Sequence, residues 1–124
     1  MKIYISHSKQ LMDFENNLYK PFLDSDIAKE NTLILPHHKS EESFNIRELI
    51  HSKKIDLVIA EVSYPATGQG IELGWADDYQ IPILCISQKG SKIAGSLKVI
   101  TTDFIEYSDS GDMINKIQKY LESK

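Results

Sequence analysis

The stretch that decides the fold runs from Asp56 to Ala76 and reads DLVIAEVSYPATGQGIELGWA. Its first part, Leu57-Val58-Ile59-Ala60, is apolar at consecutive positions, which is typical of a central strand covered on both faces. Two glycines, Gly68 and Gly70, follow a proline-containing segment, and helical spacing of apolar residues begins after them. The stretch therefore predicts a strand, a glycine-bearing loop and a helix.

The same alternation between strand-like and helical spacing of apolar residues occurs along the rest of the chain. Short apolar runs predict five strands: Lys2 to Ser6, Thr32 to Leu35, Leu57 to Val62, Pro82 to Ile86 and Phe104 to Tyr107. The segments between them have helical spacing, and a last amphipathic helix follows Ser110 or Asp112 as its cap. This alternation predicts right-handed crossovers, and hence an α/β three-layer sandwich with a five-stranded, mostly parallel, Rossmann- or flavodoxin-like sheet.

Composition limits the classes of function. The 124 residues, 41% of them hydrophobic and 26% charged, predict a single domain over residues 1–124. The net charge of −4 disfavours a nucleic acid polymer as partner. The chain shows neither a signal-peptide core nor an apolar run of membrane-spanning length, so we expect a cytoplasmic protein without a membrane partner. Cys85 lies in an apolar run and is predicted to be a buried thiol.

Ligands of parallel α/β sheets bind at the carboxyl ends of the strands. This rule singles out the residues after the first four strands: Ser6-His7-Ser8, Pro36-His37-His38, Glu61 to Gly70, which includes Thr67, and Ser87 to Ser96. Gly68 and Gly70 permit close approach of a ligand, and amides at the start of the helix can hold an anion. For Glu61, solvation beside the cleft and a hydrogen bond to the loop are both open.

Other polar residues have simpler interpretations. His37 and His38 are adjacent and lack a third ligand at a usual spacing, so a structural or solvent-exposed role is favoured over metal binding. The charged cluster Lys39 to Glu42 is predicted to be a solvated loop.

Glu72 is the candidate reactive group. It is predicted to lie in the first turn of the helix, where the helix dipole and amide donors favour the ionised carboxylate. An ionised, positioned carboxylate is a candidate nucleophile, whereas on a solvated surface it would only complement the dipole. The glycines are spaced GxGxxxG and follow the third strand, which argues against a dinucleotide fingerprint.

The segment resembles the nucleoside 2-deoxyribosyltransferase family, in particular its 2′-deoxynucleoside 5′-phosphate N-hydrolase branch. The likeness is strongest from Asp56 to Ile86: an aspartate, a strand ending Ala-Glu-Val, a proline loop and Gly-x-Gly-x-Glu-Leu-Gly-x-Ala. The resemblance implies that Glu72 is the nucleophile and that Tyr4 is the active-site tyrosine. Glu48 stands where the family usually has a catalytic aspartate.

Ser96 matches a serine that reaches the 5′-phosphate of the neighbouring subunit's ligand, which implies a homodimer or higher homo-oligomer with shared active sites. Two departures leave the phosphate preference open: His7 replaces a glycine beside Ser8, and Ala66 replaces a serine beside Thr67. The opening Ile5-Ser6-His7-Ser8 also resembles the start of a TIR domain, in which a glutamate cleaves NAD.

The resemblance implies cleavage or exchange of the N-glycosidic bond of a nucleoside or nucleoside 5′-monophosphate through a covalent Glu72 ester. Glu48 would serve as acid/base or sugar-orienting group, and Tyr4 would position Glu72. Such chemistry requires no metal or cofactor. A non-catalytic nucleotide-binding module and a TIR-like NAD glycohydrolase remain alternatives.

Overall fold

The computed structural model describes residues 1–38 and 45–124, so the predicted loop Lys39 to Glu42 lies outside the described residues. One sheet contains all five predicted strands: β1 Lys2–His7, β2 Thr32–Ile34, β3 Leu57–Glu61, β4 Ile83–Gln88 and β5 Phe104–Tyr107. Their order is β2-β1-β3-β4-β5, and every neighbouring pair is parallel. The predicted α/β sandwich is confirmed, with a sheet that is wholly rather than mostly parallel.

Helices cover both faces of this sheet. They are α1 Lys20–Leu23, α2 Asp26–Glu30, α3 Ile46–His51, α4 Thr67–Asp78, α5 Leu97–Ile100 and α6 Ser110–Glu122, and a π-helical turn Glu15–Tyr19 precedes α1. Within residues 1–38 and 45–124, no helix combines the length and the apolar character needed to span a membrane.

Side chains of the strands alternate between two cores. On β1, Ile3 and Ile5 join the core beneath α1, α2 and α6, whereas Tyr4 joins the core beneath α3 and α4. The alternation follows from the two-residue period of a strand, and β3 repeats it with Ile59 on the first side and Val58 on the second. Each side chain of β1 is thereby committed to one set of helices.

Helix α4 begins earlier than the sequence predicts. Ala66 is its extended N-cap residue, so Gly68 and Gly70 lie in the first helical turns and not in a loop. Neither glycine has a positive φ, and a Cβ added at either would meet nothing within 4 Å. The chain therefore becomes helical directly after Pro65, and Glu72 is the sixth residue of the helix, in its second turn.

The N-cap of α6 is neither predicted residue: it lies one position before Ser110 and three before Asp112. Asp109 is the N-cap residue, and its Oδ1 accepts the backbone N–H of Asp112 at 2.8 Å. Asp112 instead accepts the backbone N–H of Ser108, the residue before the cap, at 3.0 Å. Ser110 is the first residue of the helix and therefore follows the cap.

The cap predicts a difference between two neighbouring variants. Asp109→Ala removes the acceptor of the Asp112 N–H, so the free energy of unfolding is expected to fall by about 1 kcal/mol. Ser110→Ala is the matched control and is expected to change stability by less than about 0.5 kcal/mol. Urea unfolding followed by circular dichroism measures both, and equal losses would contradict the assignment of the cap.

Candidate functional site

Glu72 is held by the first strand. The Tyr4 hydroxyl lies 3.0 Å from Oε1 and 2.9 Å from Oε2 of Glu72, and the Ser6 hydroxyl donates to Oε1 at 3.4 Å. Tyr4 and Ser6 are two residues apart on β1, so both side chains face α4. The sheet thus brings together three predicted site residues that lie up to 68 positions apart in the sequence.

Burial and hydrogen bonding act in opposite directions on the Glu72 carboxyl. Partial burial raises its pKa above the usual value for glutamate, while the bonds from Tyr4 and Ser6 stabilise the anion and lower the pKa. Burial, together with the nearby charge of Glu72, raises the pKa of Tyr4 far above its ordinary value. Tyr4 therefore stays a hydrogen-bond donor at every physiological pH.

A cavity of about 770 Å³ opens beside this carboxylate, within the size range of small-molecule sites. It lies at the carboxyl ends of β1, β2 and β3. Its lining consists of Tyr4, His7, Ser8, Lys9, Gln10, Pro36, His37, Ile46, Pro65, Ala66, Thr67, Gly68, Gln69 and Glu72. Of the ten predicted site residues, Tyr4, Glu72, His7, Ser8, Thr67 and Gly68 line this cavity.

The first turn of α4 presents amide donors to the cavity. Gly70 N–H makes the first helical bond, to the Ala66 carbonyl at 3.0 Å, and the Ala66 cap supplies no side-chain acceptor. The preceding N–H groups, from Thr67 to Gln69, are therefore not used within the helix. Gly68 leaves the adjoining space open because it has no Cβ. This end of the cavity can attract an anion.

Buried Glu61 holds the segment before α4 through its carboxylate and the start of α4 through its backbone carbonyl. Glu61 is 1% exposed; its Oε1 accepts the Ser63 N–H at 2.7 Å and its Oε2 accepts the Ser63 hydroxyl at 3.0 Å. The Tyr107 hydroxyl also donates to Oε2, and the Gln69 side chain donates to the Glu61 backbone carbonyl at 3.0 Å. The open question about Glu61 is thus decided in favour of hydrogen bonding to the loop.

His7 is engaged through both ring nitrogens. Nδ1 lies 2.9 Å from the Ser8 carbonyl oxygen, and Nε2 lies 2.6 Å from the Tyr19 hydroxyl. Burial lowers the pKa of His7, which favours the neutral ring. His7 faces Tyr19 and not α4, because odd-numbered side chains of β1 point to the other side of the sheet.

Four predicted residues lie outside the lining of this cavity. Glu48 is exposed on α3, where its backbone N–H bonds to Asn45. Ser96 and Gly70 line a second cavity of about 330 Å³ on the other side of the segment from Pro65 to Thr67. Ser6 is fully buried and reaches the site only through Glu72.

Four polar residues that line the cavity are absent from the predicted site: Lys9, Gln10, His37 and Gln69. The pKa of His37 is lowered first by burial and then by the charge of Lys9. The signal for His37 was present, because it follows β2 at the carboxyl edge of the sheet. In the described part of the chain, no cluster of three or more His, Cys, Asp or Glu side chains could hold a metal ion.

Comparison with known proteins adds to this picture. No protein-family model and no curated protein sequence matches the chain. Among solved structures, the Clostridium botulinum CMP N-glycosidase BcmB is similar, with a TM-score of 0.68 over 95% of this chain and 99% of that one. Because the sequences are 17% identical, the likeness shows a common fold.

The Tyr4–Glu72 contact predicts a pKa change. Tyr4→Phe removes the main donor to the Glu72 anion while burial persists, so the pKa of Glu72 is expected to rise further. Titration of the ¹³C-labelled Glu72 carboxyl, followed by NMR, measures the pKa of Glu72 in the wild type and in the variant. Tyr79→Phe, at the C-cap of α4, is the control and is expected to leave the pKa of Glu72 unchanged. An unchanged or lower pKa of Glu72 in Tyr4→Phe would refute the assigned bond.

Proposed function

We propose that this protein cleaves the N-glycosidic bond of a nucleoside or nucleoside 5′-monophosphate, with Glu72 as the nucleophile. The observation that carries the proposal is the Glu72 carboxylate, which borders a 770 Å³ cavity and accepts hydrogen bonds from Tyr4 and Ser6. The fold shared with a protein that is named as a CMP N-glycosidase supports this substrate class.

The reaction has two steps. A Glu72 oxygen attacks C1′ of the sugar as the C1′–N bond breaks, and the bonding electron pair leaves with the base, which takes up a proton. Water then attacks the glutamyl ester and gives back the free carboxylate, the sugar and a proton. A second base in place of water would give exchange. Tyr4 keeps the carboxylate aimed and charged, so activity rises with pH as Glu72 ionises.

Two residues are candidates for the proton donor. Glu48 is proposed as the acid/base or sugar-orienting group, and its exposed place on α3 requires substrate or a partner chain to bring it into contact. His37 is the alternative, because its side chain lines the cavity together with Glu72. Separate Glu48→Ala and His37→Ala variants distinguish the two, since only loss of the true donor lowers the single-turnover rate.

One end of the cavity has groups that attract a 5′-phosphate. Unused amides at the start of α4 and the Lys9 ammonium are both attractive to an anion. We propose that Thr67 and Gly68 form the phosphate end and that His7 and Ser8 border the sugar. Gly70 and Ser6 support these positions from outside the cavity, Gly70 in the first turns of α4 and Ser6 through its bond to Glu72. The reaction proposed here uses no cofactor.

We predict that Glu72→Gln abolishes release of free base. Wild type and variant are incubated with nucleosides, ribo- and deoxyribonucleoside 5′-monophosphates and NAD, and the free base is separated by chromatography. The expected loss exceeds about 10³-fold because the nucleophile is removed.

A fold control accompanies this test. Because burial raises the pKa of Glu72, ionisation of the wild-type side chain lowers stability as pH rises above the usual glutamate value. Glu72→Gln is therefore expected to melt at or above the wild-type temperature at pH 7. Ligand-induced stabilisation without turnover would indicate a binding module instead, and release of nicotinamide alone would indicate a TIR-like activity.

We further propose that the active site is shared in a homodimer, with Ser96 of one subunit reaching the phosphate bound by the other. Ser96 is exposed in the second cavity, which adjoins the start of α4, and the nearby Val99 is 85% exposed.

Mixing two impaired variants tests the shared site. Glu72→Gln supplies an intact Ser96, and Ser96→Asp supplies an intact Glu72 while repelling phosphate. Hybrid dimers would contain one complete site, so activity is expected to recover to roughly a quarter of wild type when the variants are unfolded and refolded together. A monomer in light scattering, or no recovery, would contradict the shared site.

A further inference from the structure

One buried hydroxyl joins the ends of two strands beside the cavity. The Tyr19 oxygen, fully buried, accepts the backbone N–H of His37 at 3.0 Å and lies 2.6 Å from Nε2 of His7. His7 ends β1 and His37 follows β2. Among the described residues, this oxygen is the only acceptor for the His37 N–H.

The chemistry of the partners fixes the direction of each hydrogen bond. The Ser8 carbonyl can only accept, so Nδ1 of His7 carries the ring proton and Nε2 is left as an acceptor. Tyr19 must then donate to Nε2 while its oxygen accepts from His37. Burial raises the pKa of Tyr19 to about 12, so the donor proton is retained at neutral pH.

The backbone before Tyr19 departs twice from regular geometry. Asp13 adopts a φ of +47°, and its carboxylate accepts the Asn16 side-chain amide at 3.0 Å. The π-helical turn Glu15–Tyr19 follows at once. Left-handed residues and π turns cost free energy and are frequent at functional sites, where the surrounding structure maintains them. Here both lie in the segment that delivers the Tyr19 hydroxyl.

We propose that Tyr19 is a positioning residue of the Glu72 cavity: its hydroxyl ties His37 to His7 and so fixes the wall that these two residues give to the cavity. Both side chains line the cavity, and their rings lie 5.4 Å apart. Tyr19 itself does not line it. The bond from the His37 N–H sets where the segment after β2 lies, which in turn sets the width of the cavity on that side.

The two hydrogen bonds of the Tyr19 hydroxyl, to His7 and His37, are tested first without any ligand. In Tyr19→Phe the His37 amide loses its acceptor, so its hydrogen exchange is expected to accelerate at least about ten-fold. Nε2 of His7 loses its hydrogen-bond donor, so its ¹⁵N resonance is expected to move to the position of an unbonded ring nitrogen. Tyr120→Phe is the matched control: it also loses a bonded hydroxyl, 2.8 Å from Asp103 Oδ2 on α6's side of the sheet. It is expected to leave both signals unchanged.

The consequence for the cavity rests on the proposed function and is measured with CMP, or with the nucleotide of the above panel that is cleaved. In Tyr19→Phe we expect KM to rise on the order of ten-fold, because ground-state fit is lost. With Glu48 as the proton donor kcat changes less than about three-fold, since Glu72 is untouched; if His37→Ala identifies His37 as the donor, kcat falls together with the rise in KM. A fall in kcat at constant KM would overturn the positioning role. If wild type cleaves nothing, the proposed function fails, and the ligand-free signals still decide the tie.

A second variant covers the case in which Tyr19→Phe does not fold. His7→Asn keeps a side-chain N–H for the Ser8 carbonyl and removes the Nε2 acceptor. It is expected to raise KM and to accelerate His37 exchange, and adding it to Tyr19→Phe should raise KM no further. Unchanged His37 exchange in a folded Tyr19→Phe, or effects of the two variants that multiply, would overturn the proposal.

Discussion

The hydrogen bond between Tyr4 and Glu72 connects the first strand to the fourth helix, and the geometry of the site depends on it. A carboxylate partly removed from water would tend to take up a proton, since burial raises its pKa. Tyr4 opposes this tendency by donating at 2.9 Å, and it can do so reliably because its own pKa is raised in turn. The pair holds a negative charge at the edge of a cavity, where an electron-poor carbon can reach it.

Two glutamates eleven residues apart show how position on the sheet decides what a carboxylate does. Glu61 ends β3 on the side of α6, where Ser63 and Tyr107 occupy both of its oxygens. Glu72 lies on α4 over the other face, beside open space. The first carboxylate is saturated by protein donors and orders the loop before α4. The second retains accessible oxygen atoms, and that difference is what qualifies it for chemistry.

Strand β1 distributes its polar residues by the same rule. Tyr4 and Ser6 point to α4 and meet Glu72, while His7 points to the opposite side and meets Tyr19. A histidine at the end of a strand is therefore neutral and fixed by two hydrogen bonds, although the cavity lies next to it. His7, which stands where the resembled family has a glycine, is integrated into the fold by Tyr19, a residue that sequence reasoning did not single out.

The sequence by itself determined the five strands and the parallel α/β sandwich, because the spacing of apolar residues within each segment depends only on neighbouring positions. It also determined the pairing of Tyr4 with Glu72, because the family resemblance links those two positions. The sequence misplaced the start of α4, because Gly68 and Gly70 lower the helix propensity of that segment. In the structure, the extended Ala66 and the bond from Gln69 to Glu61 outweigh the low helix propensity. Tertiary structure alone decided that His37 and Lys9 line the cavity and that Glu48 and Ser96 do not. Which side chains share a cavity depends on contacts between segments far apart in the chain, and no local pattern encodes those distances.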